Sequence, residues 1–227
     1  MNRKIWSTVA ATCLMAASAS AQGLPGGLYV SGFGGINAPG DQTSSITGLA
    51  DNFGDMSFDH GTIFGAAIGY SPIPGLRAEV ELSRRNADVS SYFEGGFSAN
   101  NALPGDSIKA LSIMANLWKD VDVGNNVTAH FGGGVGMSRL SLNMGDLTSY
   151  KDPMHDSDTV VAGQLGAGLA FNLGNNMTLT LDYRYLRTAD ATFTNHPSCV
   201  ECSPYSLKQN YDDHAVFVGL RIPLGQK

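Results

Sequence analysis

Past its first two dozen residues the chain has no run approaching ~18 consecutive apolar residues, so no transmembrane helix can be drawn in it. Positive charge is also short. Fourteen Lys and Arg stand against 20 Asp and Glu, which excludes the basic footprint of a nucleic-acid-binding surface. No Pro/Ser-rich linker or charge run divides the sequence, and its length suits one domain. Cysteine is scarce: of three, Cys13 lies in the N-terminal apolar stretch, leaving the single pair Cys199 and Cys202. The lack of an apolar helix does not exclude a membrane protein, because a β-barrel crosses with strands of ~9–11 alternating residues and has near-neutral hydropathy. The mean hydropathy here is −0.05.

The N-terminus reads MNRKIWSTVAATCLMAASASAQG: a basic start at Arg3 and Lys4, an apolar stretch from Val9 to Ala17, then Ala19-Ser20-Ala21. That is the layout of a secretory signal peptide over residues 1–21, with cleavage before Gln22 and a mature domain over 22–227. Cys13 follows Ala10-Ala11-Thr12, a poor lipoprotein acceptor, and leaves with the peptide. Losing Arg3 and Lys4 takes Lys plus Arg from 14 to 12 against 20 acids, and the formal net charge from −6 to −8.

Alternation bounded by Gly, Pro, Asn and Asp predicts eight strands, at 28–37, 62–71, 76–85, 108–118, 127–139, 160–172, 177–187 and 214–224. Their connections alternate in length. SPIPG, KDVDVGNN and LGNN are short, whereas 38–61, 86–107, 140–159 and 188–213 are long. Antiparallel neighbours would put every long loop at one end, an ordering that outer-membrane barrels show and Greek-key sandwiches do not. Gly124-Asn125-Asn126 and Gly174-Asn175-Asn176 repeat one turn chemistry, since Gly and Asn tolerate the positive φ of tight hairpins. Their Asn-x-Thr sequons are a by-product of that chemistry.

The strands also have two unlike faces. In LRAEVELSRR, Leu76, Ala78, Val80 and Leu82 share one side while Arg77, Glu79, Glu81 and Ser83 share the other. Leu179, Leu181, Tyr183 and Tyr185 oppose Thr180, Asp182 and Arg184, and Val216, Val218, Leu220 and Ile222 oppose Phe217, Gly219 and Arg221. A soluble, half-exposed sheet would turn the polar faces to water, but it leaves the length-sorted loops unexplained. A narrow barrel filled by its own side chains instead turns them inward. Arg77, Glu79, Glu81, His130, Gln164, Asp182, Arg184 and Arg221 are then expected to form one interior polar network, with glycines making room beside them.

The closing HAVFVGLRIPL, the phrase TLDYRYLRTAD and the opening GLYVSGFGG resemble the small outer-membrane β-barrel family that includes the OmpA transmembrane domain, OmpX and opacity-type surface proteins, and alphaproteobacterial surface antigens above all. The resemblance implies an all-β fold: an eight-stranded antiparallel up-and-down transmembrane β-barrel with four long extracellular loops and three short periplasmic turns. It further implies insertion in the outer membrane of a Gram-negative bacterium by the barrel-assembly machinery. The chain departs from the family by ending Leu224-Gly225-Gln226-Lys227 instead of on an aromatic residue. No peptidoglycan-binding domain follows, so the tethering role of full-length OmpA is not implied.

Cys199-Val200-Glu201-Cys202 is expected to close a small loop disulfide in an oxidising compartment. Zinc and redox readings stay open beside it, although one pair lacks the second pair of a confident zinc site. His155-Asp156-Ser157 and His196-Pro197-Ser198 have a His-x-Ser spacing similar to that of a lipid A deacylase family, yet both lie in loops. His130 and Ser138 share a face but lie roughly 26 Å apart along an extended strand, too far to cooperate. No catalysis and no cofactor are expected. Aspartates 41, 51, 55, 59, 106, 146, 152, 156, 158, 212 and 213 crowd the long loops, either simply solvated or bridging divalent cations to lipopolysaccharide. The reading is a monomeric outer-membrane surface protein with an envelope role, contacting lipopolysaccharide and, through its loops, a host or surface ligand. Its alternatives are a lipid A-modifying enzyme and a narrow pore.

Overall fold

A computed structural model describes residues 27–40, 42–43, 45–47, 55–94, 97–99, 106–146, 153–174, 177–194 and 206–224. Eight long strands follow in chain order: β1 Leu28–Pro39, β2 Gly61–Ile73, β3 Leu76–Glu94, β4 Ser107–Gly124, β5 Val127–Asp146, β6 Pro153–Asn172, β7 Thr178–Thr188 and β8 Asp212–Pro223. Each pairs antiparallel with its neighbours in sequence, from Leu28↔Tyr70 between β1 and β2 to Thr178↔Arg221 between β7 and β8. The ring closes where β1 pairs β8, Tyr29 facing Pro223 and Pro39 facing Asp213. Closure leaves no sheet edge for backbone groups to go unpaired in lipid.

The tight turns lie at one end. Asn125 and Asn126 both take positive φ, 54° and 63°, the geometry of a two-residue hairpin whose twist matches its strands. Pro74 and Gly75 join β2 to β3, with Gly75 at φ 77°.

Outward side chains form an apolar belt: Val80, Leu82, Ile113, Leu117, Val135, Leu165 and Val218 are all exposed. On β6 the belt runs from Val161 to Phe171, roughly 33 Å along the strand and ~25 Å along the barrel axis at a tilt of ~40°. That is the height of a bilayer's hydrocarbon layer as barrels span it.

Four strands run further than alternation predicts. β3 continues to Glu94, β5 to Asp146 and β4 to Gly124, while β6 begins at Pro153, so most of the expected 140–159 loop is hairpin. β4 lengthens at the turn end, up to the Asn125-Asn126 turn; on β3, β5 and β6 the reason is an inversion of polarity at the top of the belt. On β3 the outward series Val80, Leu82 gives way to Arg84, Asn86 and Asp88, while the inward series changes from Glu81, Ser83 and Arg85 to Ala87 and Val89. β5 does the same: Met137 outward becomes Arg139 and Ser141, and Ser138 inward becomes Leu140 and Leu142. Above the belt the barrel is built like a soluble one, with a dry core and a wet wall. Ala87, Val89, Ile108, Met114, Leu140, Leu142 and Leu186 make that core.

The last long connection folds over this core. Ala191–Thr194 pairs with Ser206–Gln209, which pairs with Ser45–Thr47 from the first long connection. Phe193 and Leu207 of that small sheet, with Tyr211, complete the apolar cluster in the barrel mouth.

Candidate functional site

Below the apolar plug the lumen is polar, and its groups meet across the barrel in three tiers. At the turn end, the Arg77 guanidinium lies 2.7 Å from Glu79 Oε1 and 2.7 Å from Asp120 Oδ2. Tyr29 donates to Glu79 Oε1 at 2.6 Å and the Trp118 indole donates to Glu79 Oε2 at 2.7 Å, so both carboxylate oxygens of Glu79 are engaged. Three strands thereby converge on one buried acid.

The middle tier centres on Arg184, which donates to Glu81 Oε2 at 2.7 Å and Asp182 Oδ1 at 3.2 Å. Its guanidinium carbon stands 4.1 Å from the Trp118 ring centroid, so a stacked cation covers an aromatic face. Asn116 donates to Glu81 Oε2 at 3.1 Å, and Gln164 to Asn116 Oδ1 at 2.7 Å. His130 Nε2 stands 2.8 Å from Asp182 Oδ1. A cavity of about 20 Å³, lined by Arg77, Glu79, Glu81, His130, Asp182, Arg184 and Arg221 among others, lies between these groups. That is room for a water molecule, not for a substrate.

The upper tier is Arg85 Nε to Asp213 Oδ2 at 3.0 Å, both side chains fully buried, with Asn37 donating to Asp213 Oδ1 at 2.7 Å and Arg85 to Ser83 Oγ at 3.1 Å. Just before β8, burial and then the charge of Asp213 push the Tyr211 phenol well above its ordinary range, which keeps it a donor beneath the loop sheet.

Of the eight residues assigned to the interior network, the structure brings Arg77, Glu79, Glu81, His130, Gln164, Asp182 and Arg184 into the two lower tiers, all buried. Arg221 differs. It is only half-buried, makes no ion pair among the described residues, and lies over the Tyr29 ring at 5.2 Å. Asp213, counted among the loop acids, is instead inside the barrel and paired with Arg85. Asp156 and Asp158, counted with it, accept from the backbone amides of Thr194 and Thr192 at 2.7 and 2.9 Å, so they dock the loop sheet on β6. Tyr29, Asn37, Arg85, Asn116, Trp118 and Asp120 were missed. For Asn116 and Trp118 the signal was there, since they share the inward face of β4. Cys199, Cys202 and His196 lie outside the described residues. His155 is exposed, with Nδ1 3.1 Å from Asn143 Oδ1, and Ser138 pairs with Ser112 at 2.9 Å.

Glycines make the tiers possible. A β-carbon at Gly168 would meet the Leu181 backbone carbonyl and the His130 ring, and one at Gly134 would meet Asn116 and the β4 backbone. Gly168→Val is therefore expected to destabilise the barrel by about 1–3 kcal/mol through overpacking, read from urea unfolding in detergent micelles. An unchanged midpoint would show that the β7 backbone at Leu181 and the His130 ring can both move aside.

A closed eight-stranded ring, with an apolar belt outside and ion pairs inside, is an outer-membrane β-barrel by construction. The chain belongs to the family of outer membrane protein beta-barrel domains, which matches residues 7–221. Among solved structures it is similar to Neisserial surface protein A, at 18% identity over 86% of this chain and 96% of that one, with a TM-score of 0.54. It is likewise similar to the outer membrane protein OprG from Pseudomonas aeruginosa, at 18% identity over 87% and 96% with a TM-score of 0.57. The outer membrane protein AlkL matches at 19% identity over 92% and 95%, also with a TM-score of 0.57. No curated protein sequence matches significantly. The protein resides in the outer membrane of a Gram-negative bacterium.

Proposed function

We propose that the protein is a structural surface component of the envelope, exported by removal of residues 1–21 and presenting its long connections outside the cell. The observation that supports this reading most is the filled lumen: among the described residues, three cross-barrel tiers and an apolar plug occupy it, and the cavity between the charged groups, about 20 Å³, has room for water. Such an interior stiffens a barrel and does not suit conduction. His130 meets the Asp182 carboxylate through Nε2 in a buried hydrogen bond, and among the described residues no serine hydroxyl or cysteine thiol is bonded to its ring. The loop sheet anchored by Phe193 and Leu207 offers a rigid outer surface on which a host or surface ligand could be held.

The test is twofold. In planar bilayers the purified protein is expected to give no unit conductance steps, and cells lacking it are expected to become more sensitive to SDS and EDTA while their lipid A mass spectrum stays unchanged. Regular conductance steps would replace this reading by a narrow pore, and an altered lipid A mass by a membrane enzyme.

A further inference from the structure

The hairpin of β7 and β8 does not end with those strands. The Thr188 amide donates to the Tyr211 carbonyl at 2.8 Å, and Ala191 then pairs with Gln209, so two residues, Ala189 and Asp190, stand against one, Asn210. An extra residue on one side bends a two-stranded ribbon. Beyond the bend Phe193 and Leu207 turn into the apolar mouth, both buried, while Thr192 and Lys208 are exposed. Along its far edge the bent ribbon carries Ser45–Thr47, paired with Ser206–Lys208.

Its near edge meets β6 without a backbone ladder: Ala191–Thr194 and β6 share no register pair among the described residues. Two carboxylates stand in for one. Asp156 accepts from the Ser157 amide through Oδ1 and from the Thr194 amide through Oδ2, both at 2.7 Å. Asp158, two residues on and on the same face, does the same, with Oδ1 on Thr159 at 2.7 Å and Oδ2 on Thr192 at 2.9 Å. Each carboxylate therefore lies between an N–H of the wall and an N–H of the ribbon, and only the ionised form offers an acceptor to both and a donor to neither. No Lys, Arg or His among the described residues forms an ion pair with either acid. Their register partners on β5 are Leu142 and Leu140. The charged and titratable groups around them are engaged elsewhere: Asp190 with Lys208 at 3.3 Å on the ribbon, Arg139 with Ser157 Oγ and His155 with Asn143 on the outer wall, and Asp213 with Arg85 below. Arg187 and Asp212 are register partners at the foot of the hairpin.

We propose that this ribbon is a hinged lid over the barrel mouth, bending at Ala189, Asp190 and Asn210 and latched to β6 by the ionised carboxylates of Asp156 and Asp158, and that protonation of the two acids releases it. A protonated carboxyl turns one of its oxygens into a donor that faces an N–H, so each proton removes one bridge and sets two donors against each other. Like charge two residues apart on one face works in the same direction, because the pair gains by shedding charge once the amides no longer hold it. Burial of Phe193 and Leu207 favours the closed lid at every pH. The carboxylates shift that balance. Opening withdraws both side chains and exposes Leu140, Leu142 and Leu186 of the mouth to water. The lid depends on the fold of the hairpin and not on what the loops contact.

Site-resolved hydrogen exchange of the full-length mature protein in lipid nanodiscs reads the latch, each amide expressed as protection relative to the unstructured chain at the same pH. Between pH ~7 and pH ~3, where a free aspartate is mostly protonated, protection of the Thr192 and Thr194 amides is expected to fall at least about tenfold, since a hydrogen bond to a charged group is worth about that factor or more. The amides of β7 should keep theirs. Asp156→Asn/Asp158→Asn puts an amide donor in place of one oxygen of each acid, and is expected to show the lowered protection already at pH ~7 with no further fall in acid. Asp158→Asn alone should free Thr192 more than Thr194, and covers the case in which the double variant does not fold. Asp190→Asn and His155→Gln, which alter the exposed groups beside the latch, are expected to keep the wild-type response. Equal wild-type protection at the two pH values overturns the lid, as does an acid response that survives in a double variant still giving a heat-shifted gel band. A wild-type barrel that loses its heat-shifted band at the lower pH overturns it too, because the lid then has no opening of its own.

Discussion

Val80→Arg and Leu181→Arg are expected to block membrane insertion, leaving protein that runs at one position on SDS gels whether or not it is boiled. Both side chains stand on the outer wall, 50% and 45% exposed, on the apolar rows of β3 and β7. Val80 pairs with Ile68 and Ala115, and Leu181 with Leu169 and Val218, so each new cation would be set among apolar neighbours with no acceptor. Near the bilayer midplane such a charge costs about 2–4 kcal/mol, enough to remove much of the stability of a small domain. Arg84→Ala, four residues up the same wall, should insert normally. If Val80→Arg also inserts and still shifts on boiling, the outer face of β3 does not meet lipid.

That contrast between positions 80 and 84 also explains how much of the fold could be read from the sequence. Period-two alternation located all eight strands and put Val80 and Glu81 on their proper faces, because in lipid the two faces must differ and the difference is chemical. The predicted strand ends at 85 on β3, 139 on β5 and 160 on β6 fall where the alternation changes phase, not where the strands stop. Leaving the bilayer, the wall must become polar and the interior no longer needs to be, so Arg84 and Arg139 turn outward while Ala87 and Leu140 turn inward. A reading that follows one phase takes the change for a loop. The site was legible in the same degree. Glu79, Glu81, Asp182 and Arg184 follow from the pleat alone. That Trp118 would lie beneath Arg184, or that Asp213 would reach Arg85 across 128 residues, depends on barrel stagger, which no local pattern encodes.

Glu81→Ala is expected to be the most damaging single change in the lumen, costing about 3–5 kcal/mol. The carboxylate is 1% exposed and takes Arg184, Asn116 and Gln164 on one oxygen, at 2.7, 3.1 and 3.3 Å. Its loss leaves Arg184 with Asp182 alone, at the longer distance of 3.2 Å, and leaves the Asn116 amide without its acceptor. The charge, and not the shape, should dominate, because Coulomb attraction rises steeply where water is excluded. Removing both charges therefore tests the cause. Glu81→Gln/Arg184→Met keeps an acceptor for Asn116 and fills the space over Trp118, and it is expected to recover most of the loss, ending within about 1–2 kcal/mol of the wild type, since an unpaired buried charge costs more than an absent pair. Asp182 keeps His130 in that variant. Urea unfolding in phospholipid vesicles reads the difference, and the protein supplies its own probe. In a chain beginning at Gln22, Trp118 is the one tryptophan, and it reports directly from beneath the Arg184 guanidinium. A Glu81→Ala barrel that loses less than about 1 kcal/mol would mean that water entering the small cavity screens Arg184 as well as the carboxylate does, and the lumen would then have to be treated as wet.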